Sequence, residues 1–357
     1  MNMNPFNITF GINPVETVER DDELNEIIGT FNEELNGSHS IIITGPRGSG
    51  KTALLTLCKE TLSKDDRWIV IEVNPEEDIQ KQVAAGIYDK GSVAKLFLKA
   101  EFSFSFHGLG LSIEGDEPVN DILTLLSRML AYLKKKGKKV LVALDEVSNM
   151  PYVRSFIHAF QILYREGYPI YFLMTGLYEN VNDIENSRSL TFLYRAAKID
   201  LKPLNIRLIC RSYMDIFKID SNSAMKLANF TKGYAFAYQL LGSLLYRSEK
   251  VEIDESIIDQ FDIKIAEKSY DKIWDDLPNK EKDCLIALSH SKMGKNDEIM
   301  QELDMKKNEL SVYKKRLSNK GLIDTSVRGV STLVLPRFKE FILYTLDYEE
   351  EGNHLKA

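Results

Sequence analysis

The sequence has few of the features that mark secreted or metal-centred proteins. Only three cysteines, Cys58, Cys210 and Cys284, occur in 357 residues, and they are widely separated. This spacing argues against a disulfide framework or a cysteine-rich zinc site and favours a reducing compartment such as the cytoplasm. The five histidines are scattered as well. A metal site built by protein ligands alone is therefore not expected.

Signals for export and for membrane insertion are also missing. The first ten residues contain no basic segment followed by an apolar run, so they do not resemble a signal peptide. No apolar stretch approaches the length of a membrane span, about 18 residues. The hydrophobic fraction of 44% and the charged fraction of 28% are those of a soluble globular protein. The sequence thus predicts a cytoplasmic protein without a membrane partner.

Charge is unevenly distributed along the chain. The net charge of −7 argues against a chain that is basic throughout. Residues 305–328, however, contain seven basic and two acidic side chains, a local charge of +5, so the remainder carries −12. This segment is the one charge-based indication of an anionic partner. The lysine-rich stretch KKKGKK at 134–139 is better explained as a helix end, because lysines favour a helix C-terminus and Gly137 suits the next position.

Short apolar runs alternate with helical patterns before Pro203. This alternation, which extends over roughly 160 residues, predicts a mostly parallel sheet covered by helices on both faces, an α/β fold. The predicted strands are 41–43, 68–73, 140–144, 170–174 and 198–201. Two further runs, FSFSF and LGLSI, alternate around Gly108 and predict a β-hairpin, whose role the pattern does not give.

The most specific motif is GPRGSGKT at residues 45–52. It fits the phosphate-binding pattern of a glycine, four residues and Gly-Lys-Thr, which chance produces in on the order of one in a hundred chains of this length. It also follows a predicted strand and begins a predicted helix, and this context disfavours a plain glycine turn. Glycines let backbone N–H groups face phosphate oxygens, and the helix N-terminus adds its positive end. We therefore expect ATP to be bound by Gly45, Pro46, Arg47, Gly48, Ser49, Gly50, Lys51 and Thr52.

A second motif, KVLVALDEV at 139–147, supplies two carboxylates at the end of a buried strand. In such sites Lys51 reaches the β- and γ-phosphates, and Thr52 places its hydroxyl on Mg²⁺. Asp145 is expected to complete the Mg²⁺ site, and Glu146 is expected to orient and polarise the attacking water. An acidic pair after a strand is alternatively a solvated loop start. Together with the first motif, it predicts a Mg²⁺-dependent ATPase.

The chain after Pro203 is predicted to be helical. Residues 204–277 indicate several helices, and residues 278–336 indicate three helices followed by a short hairpin, the pattern of a winged helix-turn-helix. Its predicted core consists of Ile286, Leu288, Ile299, Leu303, Leu310, Tyr313, Leu317 and Leu322. The basic residues predicted to contact DNA phosphates are Lys314, Lys315 and Arg316 on the third helix and Arg328 in the wing. The alternative is a solvated basic face on a domain that binds protein.

With these motifs in place, residues 15–345 resemble the AAA+ ATPases, in particular the branch shared by archaeal-type replication-origin initiators and STAND regulatory ATPases. The resemblance implies a P-loop NTPase sheet of the AAA+ ASCE type, a helical lid and a C-terminal winged helix. VERDDEL at 18–24 is similar to the family's box ahead of the P-loop, which implies that Arg20 borders the adenine. Glu19 stands where glycine is usual, and an ordinary helix start is the alternative.

The resemblance also implies catalytic roles later in the chain. Thr175, at the end of the strand in YPIYFLMTGL, matches the position that hydrogen-bonds the γ-phosphate or the lytic water; a threonine that merely ends a strand is the alternative. Arg195 matches an arginine finger that acts on a neighbouring subunit, with Arg188 as second choice and a surface arginine as the alternative. TKGYAFAYQLLGSLL at 231–245 resembles the lid helix, but Ala235 replaces its proline, and no arginine occupies the usual second sensor position.

These observations predict four segments: a P-loop nucleotide-binding domain at 1–202, a helical lid at 203–277, a winged helix at 278–346 and an acidic tail at 347–357. The favoured function is an ATP-hydrolysing switch that associates with double-stranded DNA and assembles with itself when ATP is bound. The first alternative is a STAND-type regulatory ATPase whose winged helix binds a protein partner. The second is a nucleotide-binding scaffold with negligible hydrolysis, against which Glu146 argues.

Overall fold

The chain divides into two compact units. The computed structural model describes residues 4–8, 18, 20–33, 37–89, 104–107, 110–113, 121–187 and 191–354. The first unit, called the sheet unit, comprises Asp21–Thr44 and Lys51–Asp200. The second, called the helical unit, comprises Met1–Arg20, Gly45–Gly50 and Leu201–Ala357. The four segment boundaries drawn from the sequence stay predictions.

The sheet unit is built on a parallel sheet. Its strands are β1 (Ser40–Thr44), β2 (Trp68–Glu72), β3 (Phe104–His107), β4 (Gly110–Ile113), β5 (Lys139–Leu144), β6 (Ile170–Gly176) and β7 (Ala197–Asp200). Five of them form one parallel sheet in the order β2-β5-β6-β1-β7, which confirms the predicted α/β class. The antiparallel pair β3–β4 confirms the predicted hairpin.

The central strands are buried on both faces. Every residue of β1 and of β6 is buried, which explains why these strands appear in the sequence as continuous apolar runs rather than as alternating patterns. The helices of this unit are α1 (Asp21–Asn32), α2 (Lys51–Ser63), α3 (Ile79–Asp89), α4 (Ile122–Lys135), α5 (Pro151–Arg165) and α6 (Tyr178–Asn186), with a 3₁₀ turn at Thr191–Arg195. Side chains from the sheet and from α3, α4 and α5 pack into one hydrophobic core.

The lysine-rich stretch at 134–139 is a helix end, as predicted. Lys134 and Lys135 occupy the last turn of α4, and the N–H of Lys136 bonds back to the carbonyl of Leu133. Gly137 follows with a φ of +65°, a conformation that favours glycine at this position.

The helical unit consists of helices and one short hairpin. Its elements are α7 (Ile206–Phe217), α8 (Ser221–Phe230), α9 (Ala235–Ser248), α10 (Glu255–Ile265), a π-helical turn (Ala266–Tyr270), α11 (Asp271–Asp275), α12 (Asn279–His290), α13 (Asn296–Leu303), α14 (Lys307–Asn319), β8 (Ile323–Asp324), β9 (Thr332–Leu333) and α15 (Phe338–His354). One continuous hydrophobic core runs through this unit, from Phe6 to Ile342. No helix in the described part of the chain combines the length and the apolar character needed to cross a membrane.

The elements from α12 to β9 follow the order of a winged helix. Three helices are succeeded by the antiparallel pair β8–β9, and an isolated bridge joins Lys295 to Val330 beside it. Of the eight residues predicted to form the core, five are buried, namely Leu288, Ile299, Leu310, Leu317 and Leu322. The other three, Ile286, Leu303 and Tyr313, are partly buried against the same core.

Candidate nucleotide-binding site

The sheet unit brings three of the predicted site residues together at one edge of the sheet. Asp145 and Glu146 directly follow β5, and Thr175 lies near the end of the adjacent strand β6. Neighbouring parallel strands end at the same edge of a sheet, so the residues that follow β5 lie beside the end of β6. Thr175 is fully buried, Asp145 is half-buried and Glu146 is exposed.

Asp145 is held between two hydroxyl groups. Its Oδ2 accepts a hydrogen bond of 2.8 Å from Thr52 Oγ1, and its Oδ1 accepts one from Thr175 Oγ1. Thr52 is the second residue of α2 and is exposed, so its hydroxyl stands at the positive N-terminal end of that helix. A hydroxyl and a carboxylate in direct contact are the pair of oxygen ligands that a P-loop enzyme offers to Mg²⁺.

Glu146 adopts a backbone conformation that is unusual for a residue with a side chain. Its φ is +53°, in the left-handed region that costs an L-residue roughly 1–2 kcal/mol. The N–H of Glu146 donates a hydrogen bond of 3.0 Å to Thr175 Oγ1, and the next N–H, that of Val147, donates one of 2.7 Å to the carbonyl of Thr175. Thr175 therefore fixes the turn that carries both carboxylates.

Lys51 begins α2 and is buried, with 9% of its surface exposed. A buried lysine is unusual and needs an anionic or polar environment to remain charged. Its position, directly after the glycine-rich loop, is the one from which a P-loop lysine reaches phosphate oxygens.

The glycine-rich loop, Gly45–Gly50, belongs to the helical unit. Gly48 and Gly50 have φ values of +69° and +95°, which glycine adopts without strain. A Cβ atom on Gly48 would also lie 2.3 Å from the hydroxyl oxygen of Tyr234, so the space as well as the backbone requires glycine there. The buried hydroxyl of Ser49 has no hydrogen-bond partner within the described residues. The loop therefore retains an unpaired polar group, as expected of a site that receives a polar ligand.

Hydrogen bonds hold the outer side of this loop. Tyr234 Oη donates to the carbonyl of Arg47 at 2.7 Å, and the N–H of Phe236 donates to the carbonyl of Gly48 at 3.0 Å. The side chain of Arg47 forms an ion pair of 3.1 Å with Asp276. The sequence had indicated Arg47 and Gly48 but not their partners Tyr234, Phe236 and Asp276. The Gly-Tyr pair that begins the lid motif was the available signal, although the pattern alone does not specify the contact.

Arg20 is also bound to the loop backbone. It is buried, and its Nη2 donates hydrogen bonds of 3.0 Å to the carbonyl of Ser49 and to that of Lys202. In this position the guanidinium group holds peptide carbonyls. The implied contact with adenine stays a prediction.

The predicted arginine finger lies at the surface. Arg195 ends the 3₁₀ turn before β7 and is exposed. Its second choice, Arg188, lies outside the described residues.

The four predicted DNA-contacting residues differ in how accessible they are. Lys315 and Arg328 are exposed. Lys314 is half-buried, donates to Asn296 Oδ1 at 2.6 Å, and has a pKa lowered by burial. Arg316 is exposed, and its guanidinium lies 3.9 Å from the buried carboxylate of Glu281. Two of the four are thus already engaged within the winged-helix segment.

Comparison with known families locates the nucleotide motifs in a recognised domain. Residues 16–152 match the profile of the AAA ATPase domain, which includes the loop at 45–52 and both carboxylates after β5. Residues 267–342 match a domain of unknown function. A sequence search of curated proteins gave no match.

Several solved structures resemble nearly the whole chain at low sequence identity. The ORC2 protein of Aeropyrum pernix, in its ADPNP–ADP complexes, has a TM-score of 0.57 at 14% identity, covering 97% of this chain and 98% of that one. Cdc6p of Pyrobaculum aerophilum has a TM-score of 0.46 at 15% identity, covering 96% and 97%. AMPPCP-bound DnaA of Aquifex aeolicus has a TM-score of 0.43 at 12% identity, covering 94% and 96%.

These findings confirm the resemblance that the motifs indicated. The family match covers the nucleotide motifs, and the fold of the whole chain is that of the Aeropyrum pernix protein. Residues 16–152 thus match an AAA ATPase domain, and the chain has the fold of the Aeropyrum pernix ORC2 protein.

Proposed function

We propose that this chain binds ATP together with Mg²⁺, hydrolyses the ATP, and uses the cycle as a switch on DNA. The proposal rests on a chain of three hydrogen bonds. Thr52 donates to Asp145, Thr175 also donates to Asp145, and the N–H of Glu146 donates to Thr175. These groups came from three separate parts of the sequence, and each contact suits its proposed role. An acidic pair that only begins a solvated loop would need no such partners.

The residues act on the phosphates and on water. The N–H groups of the glycine-rich loop and the ammonium of Lys51 bind the β- and γ-phosphates, and Thr52 and Asp145 are the groups that would hold Mg²⁺. When bound, the ion neutralises charge on the phosphate oxygens. Glu146 orients the attacking water and accepts its proton. Thr175, through its two hydrogen bonds, keeps the carboxylates of Asp145 and Glu146 in their relative positions.

Binding is tested by titrating ATP with and without Mg²⁺. Lys51→Ala should lose most of its nucleotide affinity, because the P-loop lysine contacts the β- and γ-phosphates directly. Asp145→Asn should still bind ATP, but Mg²⁺ should no longer increase its affinity. The matched control is Lys64→Ala, an exposed lysine just after α2, which should bind like the wild type. Equal affinity of Lys51→Ala and Lys64→Ala would refute phosphate binding by this loop.

Assembly is proposed to complete the site through Arg195. Its exposure at the end of the 3₁₀ turn supports action on a second copy of the chain. An arginine supplied in this way raises turnover by about 10³-fold or more. Arg195→Ala should therefore bind ATP and hydrolyse it poorly. Mixing it with an inactive Glu146→Gln chain should partly restore turnover, because some sites then contain both intact residues. Normal hydrolysis by a monomeric Arg195→Ala chain would exclude the finger.

DNA association is proposed to rest on the winged-helix segment. Lys315 and Arg328 are the best candidates, because both are exposed. Each lost phosphate contact should reduce the slope of log affinity against log salt by about one. Replacing both by alanine should weaken binding to all duplex sequences alike, whereas replacing Lys250 and Lys272, which form ion pairs with Asp254 and Asp276, should not. If the wild type does not bind double-stranded DNA even at low salt, the proposed DNA association is wrong.

One observation favours the protein-binding alternative. Three large apolar side chains of the winged-helix segment are exposed: Met293 (62%), Val312 (49%) and Val327 (62%). Apolar exposure of this kind is more typical of a protein partner than of a phosphate backbone. A pull-down from native lysate with ATP present, analysed for nucleic acid and protein, separates the two. Replacing Met293 and Val327 by serine should abolish capture of a protein partner and leave DNA retention unchanged.

A further inference from the structure

Three consecutive carbonyl groups of the glycine-rich loop accept hydrogen bonds from outside the loop. Tyr234 Oη donates to Arg47 (2.7 Å), the N–H of Phe236 donates to Gly48 (3.0 Å), and Arg20 Nη2 donates to Ser49 (3.0 Å). We call these three groups the outer donors. They come from two distant parts of the sequence, so their convergence on successive peptide groups is a property of the fold.

Because the peptide group is planar, a hydrogen bond to its carbonyl also fixes the direction of its N–H group. In a trans peptide the C=O of one residue and the N–H of the next point in opposite directions. Holding the carbonyls of Arg47, Gly48 and Ser49 on their donors therefore directs the N–H groups of Gly48, Ser49 and Gly50 away from those donors. These are N–H groups of the kind that a P-loop directs at phosphate oxygens. Among the described residues the N–H of Ser49 bonds to the carbonyl of Pro46 at 3.3 Å, a long hydrogen bond that an anion can replace.

We propose that Tyr234 is a positioning residue of the nucleotide site: its hydroxyl holds the glycine-rich loop in the conformation that accepts phosphate. This inference rests on the proposed ATP-binding function and deepens it. Tyr234 is the outer donor that a single-atom change removes, since Phe236 acts through its backbone and Arg20 also binds Lys202. The contact is tight, because a Cβ on Gly48 would lie 2.3 Å from the Tyr234 oxygen.

The surroundings of Tyr234 keep its hydroxyl a donor. The side chain is buried, and burial raises the pKa of Tyr234 well above its ordinary value, so the hydroxyl stays protonated at physiological pH. Its oxygen also lies 2.7 Å from Ser269 Oγ. Because Tyr234 gives its one proton to the carbonyl of Arg47, Ser269 donates to Tyr234. Ser269 lies in the π-helical turn Ala266–Tyr270, a form of helix that often marks functional sites.

The loss of this hydroxyl should appear as a loss of affinity for phosphate. A loop that samples other conformations is competent only part of the time, and the apparent Kd rises by the inverse of that fraction. The expected rise for Tyr234→Phe is about tenfold, the factor that corresponds to one buried hydrogen bond. It should be the same for ADP and for inorganic pyrophosphate, because the loop contacts the phosphates and pyrophosphate contains nothing else. Ser269→Ala should give a smaller rise in the same direction.

The experiment titrates ADP and pyrophosphate into the full-length wild type, Tyr234→Phe, Ser269→Ala and Tyr213→Phe, and records the melting temperature of each ligand-free protein. Tyr213 is the matched control, since it is fully buried in the same unit and its hydroxyl donates to the carbonyl of Tyr238 at 2.8 Å. Both phenylalanine variants should melt earlier than the wild type, but only Tyr234→Phe should bind more weakly.

Each other outcome has a definite meaning. If Tyr234→Phe melts early and binds both ligands like the wild type, Tyr234 serves stability alone and the proposal is wrong, while the nucleotide site stands. If Tyr234→Phe does not fold, unchanged affinity of Ser269→Ala overturns the proposal. If the wild type binds neither ADP nor pyrophosphate, the proposed function itself is wrong.

Discussion

Replacing Thr175 by valine should show how much its hydroxyl group contributes to stability and to ATP turnover. Valine has the shape of threonine and suits a buried strand, so packing within β6 is preserved. The change deletes only the hydroxyl, which accepts the N–H of Glu146 at 3.0 Å and donates to Asp145. Any effect must therefore come from these two hydrogen bonds.

The expected loss of stability follows from the groups that the two hydrogen bonds pair. An N–H left unpaired costs about 1–3 kcal/mol, and a hydrogen bond to a charged group contributes about 1.5–3 kcal/mol. Because Asp145 is half-buried, water recovers part of this loss. We expect the free energy of unfolding to fall by about 2–4 kcal/mol. The left-handed turn at Glu146 also loses the bond that holds it, and a misplaced catalytic carboxylate reduces turnover by about 10²-fold.

Two assays distinguish these effects, namely urea unfolding followed by circular dichroism, and steady-state ATP turnover. Thr175→Ser restores a hydroxyl at the same position and should recover most of the turnover. The Kd for ATP measured without Mg²⁺ should change little in either variant, because neither touches the glycine-rich loop. Wild-type turnover in Thr175→Val would show that this hydroxyl does not organise the carboxylates, and the reasoning would be refuted.

Three other predictions concern single residues. Glu146→Gly removes the left-handed strain and should leave the free energy of unfolding unchanged or raise it by up to about 1 kcal/mol; a clear loss in urea unfolding would contradict this. Lys320→Ala removes the nearer of the two cations beside the buried carboxylate of Glu281 (2.9 Å, against 3.9 Å for Arg316) and should cost up to about 3 kcal/mol, whereas the exposed Lys315→Ala should cost almost nothing. Burial raises the pKa of Cys58 to about 12, so it should resist iodoacetamide at pH about 8 until the protein unfolds; rapid labelling of the folded protein would be inconsistent with this burial.

Local pattern was sufficient to predict the architecture around the site. The strands predicted at 140–144 and 170–174 correspond to β5 (Lys139–Leu144) and β6 (Ile170–Gly176). They could be predicted because strands buried on both faces are apolar along almost their whole length. The meeting of Asp145 with Thr52 could also be anticipated, since parallel strands deliver their ends to one edge of a sheet.

Contacts between residues far apart in the chain could not be predicted from local sequence patterns. The bond from Tyr234 to Arg47 joins residues 187 apart in the chain, and nothing in the lid motif specifies which carbonyl the tyrosine reaches. Likewise, Lys314 looks like an ordinary surface lysine in the sequence, and its bond to Asn296 becomes visible only when α13 and α14 are packed together. Side-chain partners depend on the packing of whole helices, which hydrophobic periodicity does not encode.

The other predictions depend on the proposed hydrolysis of ATP through Glu146. The direct test is the turnover of ATP with Mg²⁺ by the purified wild type and by Glu146→Gln, measured alongside the ATP affinity of each. The proposed site predicts equal affinities and a turnover at least about 10²-fold lower in the variant, because glutamine cannot accept a proton from water. Equal turnover in the two proteins would contradict the assignment.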